Sequence, residues 1–190
     1  FSIPEDITVP VVDGVAVFDN IEIYEGTLIN QNFTVNTSQF NQRYILSNSF
    51  IDTSTIRVKV KPDESSSSTV TYQQIDNIVG VTSTSSSYLL QEIEDERYEL
   101  IFGDNVIGKK LSNDNYITVS YIITSGKDGN GASEFSFIGN IIDQDGATID
   151  ASNFSLVTTE ESSRDGDEIE SISSIKYYAP RIYSSQYRAV

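Results

Sequence analysis

The sequence contains no cysteine, no histidine, no tryptophan and no methionine. Without cysteine there is no disulfide framework and no thiolate nucleophile. Without histidine there is no Ser-His-Asp system and no imidazole general base. Losing both together also removes the structural zinc sites and haem ligation. What is left for chemistry is carboxylates, tyrosines, serines and lysines, so most enzyme mechanisms are out of reach and no cofactor is expected. Basic residues are scarce too: 12 Lys and Arg face 28 Asp and Glu, a net charge of −16. Nucleic-acid binding needs a basic stripe to neutralise phosphates, and anionic membrane surfaces repel the same charge. No apolar run approaches the roughly 20 residues of a membrane helix, and no secretory leader pattern is visible. The chain begins at Phe1 without a methionine, so it is expected to be a piece of a longer protein.

What is present points to β structure. Ile, Val and Thr number 24, 15 and 15, whereas Leu and Ala number only 7 and 6. β-branched and aromatic side chains suit a pleated, half-buried surface, and Leu and Ala are the stronger helix formers. A chain of 190 residues buries roughly 70% of its unfolded surface and can hold a core without staples. The expected fold is therefore mainly β, a module of antiparallel strands, with a C-terminal helix opening a truncated α+β segment.

Short strand-like runs are read at Val15–Phe18, Ile21–Tyr24, Leu28–Val35, Arg43–Leu46, Ile56–Lys61, Val70–Tyr72, Ile75–Val81, Tyr88–Ile93, Arg97–Phe102, Tyr116–Thr124 and Glu134–Ile142. In Thr55–Lys61 apolar residues alternate with Arg and Lys, the period of a strand with one wet face. Tyr116–Thr124 is β-branched or aromatic almost throughout, as a strand covered on both faces requires. Residues 1–13, with two prolines, read as an extended lead-in, and the serine-rich stretch at 62–68 as an exposed loop.

Near residue 160 the period changes. Ile169, Ile172 and Ile175 recur every three residues, which places them on one helical face from about Asp167 to Tyr178. Asp165 or Asp167 would cap the start and Pro180 would end the element. This divides the chain into a lead-in at 1–13, a β-rich domain at 14–160, and a helical segment at 161–190 that begins a second domain. Ile169, Ile172 and Ile175 with Tyr177, Tyr178, Tyr183, Tyr187 and Arg188 are candidate interface residues, since amphipathic aromatics are favoured at interfaces.

Four chemical patterns occur. Asp143-Gln144-Asp145-Gly146 resembles the middle of a calcium loop, but Ile141 and Ser152 stand where the end ligands belong. A strand-to-strand turn explains the same residues. The acidic run Glu92–Glu99 would suit a glycosidase carboxylate pair, but reads better as a hairpin connection with solvated charges. The sequons at Asn32, Asn36 and Asn153 match the chance expectation of about three. Phe102–Lys110 lacks the spacing of a phosphate loop and reads as a tight turn. Gly103, Asp104, Asn105 and Gly108 are its structural residues, with Asn105 tolerating a left-handed backbone.

That turn also carries a resemblance. Glu96–Lys109 (ERYELIFGDNVIGK) is similar to the YEI-x-FGDG-x-x-G segment of the baseplate J family, the wedge proteins of contractile-tailed phage baseplates and related injection machines. Ile117–Gly126 with Asn130-Gly131 resembles the family's I-x-V-x-Y-x-x-T-x-G and NG segments. Ala179-Pro180, Tyr183, Gln186 and Arg188–Val190 resemble its AP-x-x-Y-x-x-Q-x-RAV segment. Tyr24–Gly26, Phe33–Val35 and Asp52–Val58 are similar to the T-even-type branch. The agreement runs in fixed order over about residues 20–190, with Asn105 standing where the family usually has glycine. The resemblance implies a non-catalytic wedge subunit in the virion tail baseplate, assembled in the host cytoplasm. Its implied partners are other copies of itself, forming a homo-oligomeric ring around the tail hub, and neighbouring wedge proteins. It implies no nucleic acid and no membrane insertion. The competing expectation is an extracellular β-sandwich adhesin that binds glycan or a cation through Asp143–Asp150.

Overall fold

The computed structural model describes residues 1–149, 161–168, 170 and 172–186, with side chains in the last stretch described for 173–181. Among these described residues, eleven strands and one α-helix follow in order, with short 3-10 turns at Glu94–Glu96 and Gly126–Gly129. They are β1 (Val11–Val12), β2 (Val15–Ala16), β3 (Thr27–Thr34), β4 (Tyr44–Ile45), β5 (Ile51–Lys61) and β6 (Val70–Gln74). Then come β7 (Ser87–Ile93), β8 (Arg97–Phe102), β9 (Tyr116–Ile123), β10 (Ile141–Ile142), β11 (Thr148–Ile149) and α1 (Ile172–Gln186). The fold is mainly β with a C-terminal helix, as expected. By contacts it divides into two compact units, Phe1–Ser125 and Gly126–Val190. That division falls inside the stretch read from sequence as a single β-rich domain.

The first unit is built on one seven-stranded sheet of order β3-β9-β5-β6-β7-β8-β4. All pairings are antiparallel except β6 with β7, which run parallel through only two residue pairs, Gln73 with Ser87 and Gln74 with Tyr88. β9 has a strand on each side and is the best covered. Its Ile117, Val119, Tyr121 and Ile122 are fully buried, while Tyr116 and Ile123 are half-buried. On β5 the expected alternation holds: Ile56, Val58 and Val60 are buried, and Arg57, Lys59 and Lys61 lie on the half-buried side.

The sheet curls until its two outer strands meet. Gln31 on β3 donates from Nε2 to the Ile45 carbonyl at 2.9 Å, and its Oε1 accepts from the Ser47 amide at 3.0 Å. One side-chain amide thus bridges the open seam between β3 and β4. Edge-to-face rings close the core behind it. Phe33 meets Tyr44 at 5.6 Å, and Phe102 meets Tyr44 at 5.4 Å and Tyr72 at 5.6 Å.

Several local expectations are corrected. Ile75–Val81 is not a strand: the Asn77 side chain accepts the Val79 amide, Gly80 takes a positive φ, and the segment turns. Only Ile141–Ile142 of the Glu134–Ile142 run is a strand, and Ile21–Tyr24 contributes a single bridge from Tyr24 to Ser2. The lead-in hides a hairpin. Asp13 and Gly14 take φ of 51° and 79°, the two positive angles of a type I′ turn, and join β1 to β2.

In the second unit β10 and β11 form a hairpin, and Asn130-Gly131 is tied to the 163–166 stretch. Asn130 both donates to the Gly166 carbonyl at 2.8 Å and accepts its amide at 2.9 Å. These bonds hold Ser163–Asp167 outside helical geometry, so Asp165 and Asp167 do not cap the helix, which is described from Ile172 onward. Pro180 lies inside α1 rather than ending it. Proline's φ is already helical, so the chain continues at the loss of one hydrogen bond to the Lys176 carbonyl.

Candidate functional site

Of the residues expected at an interface, Ile169, Tyr187 and Arg188 lie outside the described residues. Ile172 and Tyr183 lie on α1, and only their backbone is described. Ile175, Tyr177 and Tyr178 are roughly half exposed, at 47%, 53% and 51%. Tyr177 stacks edge-on against Tyr178 at 5.0 Å, and the Arg181 guanidinium lies 3.7 Å over the Tyr177 ring. Tyr177 thus contacts Tyr178 and Arg181 on the helix while remaining half exposed.

The turn after β8 is held from all sides. The Asp104 carboxylate accepts the Val106 amide at 2.8 Å and the Ile107 amide at 2.9 Å, bonds that hold its pKa below the usual carboxylate range. Asn105 takes φ 73°, donates its amide to the Gly108 carbonyl at 3.0 Å, and accepts the Lys110 amide on Oδ1 at 3.0 Å. A Cβ on Gly103 would stand 2.2 Å from the Gly108 carbonyl carbon, so only glycine fits there. Gly108 and Lys109 then donate to the carbonyls of Thr82 and Ser85. The turn is not a hairpin between neighbouring strands. β8 pairs with β7 and β4, and the turn sends the chain across to β9 near the far edge.

The acidic run is a hairpin connection between β7 and β8, but not all its charges are solvated. Glu99 forms a two-pronged pair with Arg43, with Nε to Oε1 at 2.8 Å, and these bonds lower its pKa. In Asp143–Ile149 the Asp143 Oδ1 accepts the amides of Asp145 and Ala147, each at 2.9 Å. That carboxylate serves the β10–β11 turn.

A polar cleft of about 560 Å³ beside β5, β6 and β7 was not anticipated. A bulge in β5 makes its wall: Asp52 pairs with Ile122, and the next registered residue, Arg57, pairs with Ser120. The bulge replaces a missing ladder bond with a side chain. Buried Thr55 donates Oγ1 to the Asp52 carbonyl at 2.7 Å and accepts the Ile122 amide at 3.0 Å. Arg57 folds Nη1 back onto the Ser54 and Ile56 carbonyls and presents Nε to Glu5 at 3.4 Å, leaving Nη2 without a bond among the described residues. Opposite lies Tyr88, only 2% exposed, whose hydroxyl makes no hydrogen bond to any described residue. Burial pushes its pKa up to about 12, with the Arg57 charge pulling the other way. In the sequence Arg57 is indistinguishable from the other basic residues of an alternating strand. Only the bulge sets it apart. Against known proteins, no family model matches this chain and no curated protein matches it.

Proposed function

We propose that this chain is a structural module of a contractile phage tail baseplate wedge. It joins other copies of itself and neighbouring wedge proteins into the ring around the tail hub and moves with that ring on sheath contraction. The ordered run of resembling segments supports this reading. The observation that carries it is the uncovered apolar surface. Ile175, Tyr177 and Tyr178 on α1, and Val11, Val12, Val15 and Val17 around the β1–β2 hairpin at 60–68%, are exposed. Surfaces of this kind mark contact with other chains. The missing histidine and cysteine fit a role without catalysis, and the acidity limits non-specific association.

An antibody raised against this protein tests the reading on virions and on host cells by immunogold electron microscopy. Label at the distal end of the tail is expected. Label confined to the cell surface would move the chain to the adhesin reading.

A further inference from the structure

We propose that the cleft beside Arg57 binds a neutral polyhydroxylated ligand, a short saccharide segment, independently of the wedge reading. Its volume lies within the range of small-ligand sites. The groups that converge on it are Glu5, Ser54, Arg57, Gln73, Gln74 and Tyr88. Hydroxyls and carboxamides both donate and accept, which matches the mixed donor and acceptor character of sugar hydroxyls. Planar Gln and Arg groups add paired contacts suited to vicinal hydroxyls.

Charge decides against the other ligand classes. The one guanidinium in the cleft already faces the Glu5 carboxylate, so the site offers no surplus positive charge to an anion. A chain at −16 repels anions further, and Arg57 bars a cation. The polar lining does not favour a hydrocarbon. Two donors with no other employment in the described fold, Arg57 Nη2 and the Tyr88 hydroxyl, then face the same space. Among the described residues the fully buried side-chain polar atom without a bond is Arg97 Nε, so the Tyr88 hydroxyl meets solvent at the cleft, and a ligand hydroxyl accepting from it would take the place of water there. The bulge and the two-pair parallel contact of β6 with β7 are what open the sheet here. Both are backbone features that hold the site whether or not it is filled.

The test is an amide chemical-shift titration of the whole isotopically labelled chain with maltotriose, cellotriose and tri-N-acetylchitotriose separately, and with sodium phosphate as the charged control. The expected result is a saturable shift at Gln73, Gln74 and Tyr88 with at least one saccharide and none with phosphate. Tyr88→Phe keeps the ring against Phe102 and should weaken binding by about fivefold to tenfold. Gln74→Ala, on an exposed residue, should weaken it too without shifting the melting temperature. The proposal is overturned if no saccharide gives a saturable shift, if phosphate alone does, or if both variants bind as the unaltered chain does.

Discussion

Tyr121 donates its buried hydroxyl to Asn48 Oδ1 at 2.7 Å, from the core face of β9 to the loop between β4 and β5. The same hydroxyl lies 3.1 Å from Gln31 Oε1, so the seam between the first and last strands is anchored on a core tyrosine. Tyr121→Phe keeps the ring and removes this anchor. The expected loss is about 1 kcal/mol, roughly 2–4 °C in melting temperature, read by circular dichroism. An unchanged melt would mean that the seam holds without it.

Thr55 fills the bulge with a hydroxyl that stands in for a backbone acceptor. Thr55→Val has nearly the same shape but strands the buried Ile122 amide, at about 1–3 kcal/mol. Thr55→Ser keeps the hydroxyl and should cost less. Urea melts give the two losses, and hydrogen exchange at the Ile122 amide should accelerate in Thr55→Val alone. Equal losses for the two variants would place the cost in the methyl group instead.

The turn after β8 separates two glycine-like positions. Gly103→Ala forces a Cβ into the Gly108 backbone and should lower stability by about 2–4 kcal/mol. Asn105→Gly relieves a left-handed residue but loses the bond to the Lys110 amide, so it should fall within about 0.5–1 kcal/mol of neutral. Asn105→Val has neither advantage and should be the worst of the substitutions at 105, with denaturant midpoints setting the order.

Glu99 links acidity to stability. Its hydrogen bonds from Arg43 hold its pKa below the ordinary 4.5 of a free glutamate. A lowered folded pKa stabilises above the unfolded value and is lost as pH falls through the folded one. At Glu25, burial alone would raise the pKa, but bonds from Thr124 and Ser125 outweigh it and leave the group lowered in the same sense. The stability gap between the unaltered chain and Arg43→Gln should therefore be full at neutral pH and close as pH falls below about 4.5. Urea melts of both chains across that range measure the gap. A gap that stays constant would show that the pair does not couple to folding.

What the residues alone determine is composition-level and periodic. β-branched residues at period two place β3, β5, β7, β8 and β9, because alternation decides which side chains can be buried on a pleated strand. The left-handed Asn105 and the Asp143 turn are equally local, since Asn, Asp and Gly act on their own backbone. Pairing is another matter. That β8 goes to β4, that Gln31 closes the sheet, and that the bulge at Thr55 singles out Arg57 from Lys59 and Lys61 all depend on strands far apart in sequence. The second unit shows the same limit from the other side: the Asp165–Asp167 capping pattern is local, but the Gly166 backbone between them pairs with the side chain of Asn130, 36 residues away. Short-range chemistry sets which elements can form, and long-range hydrogen bonds and packing decide where they begin and which side chains they bring together.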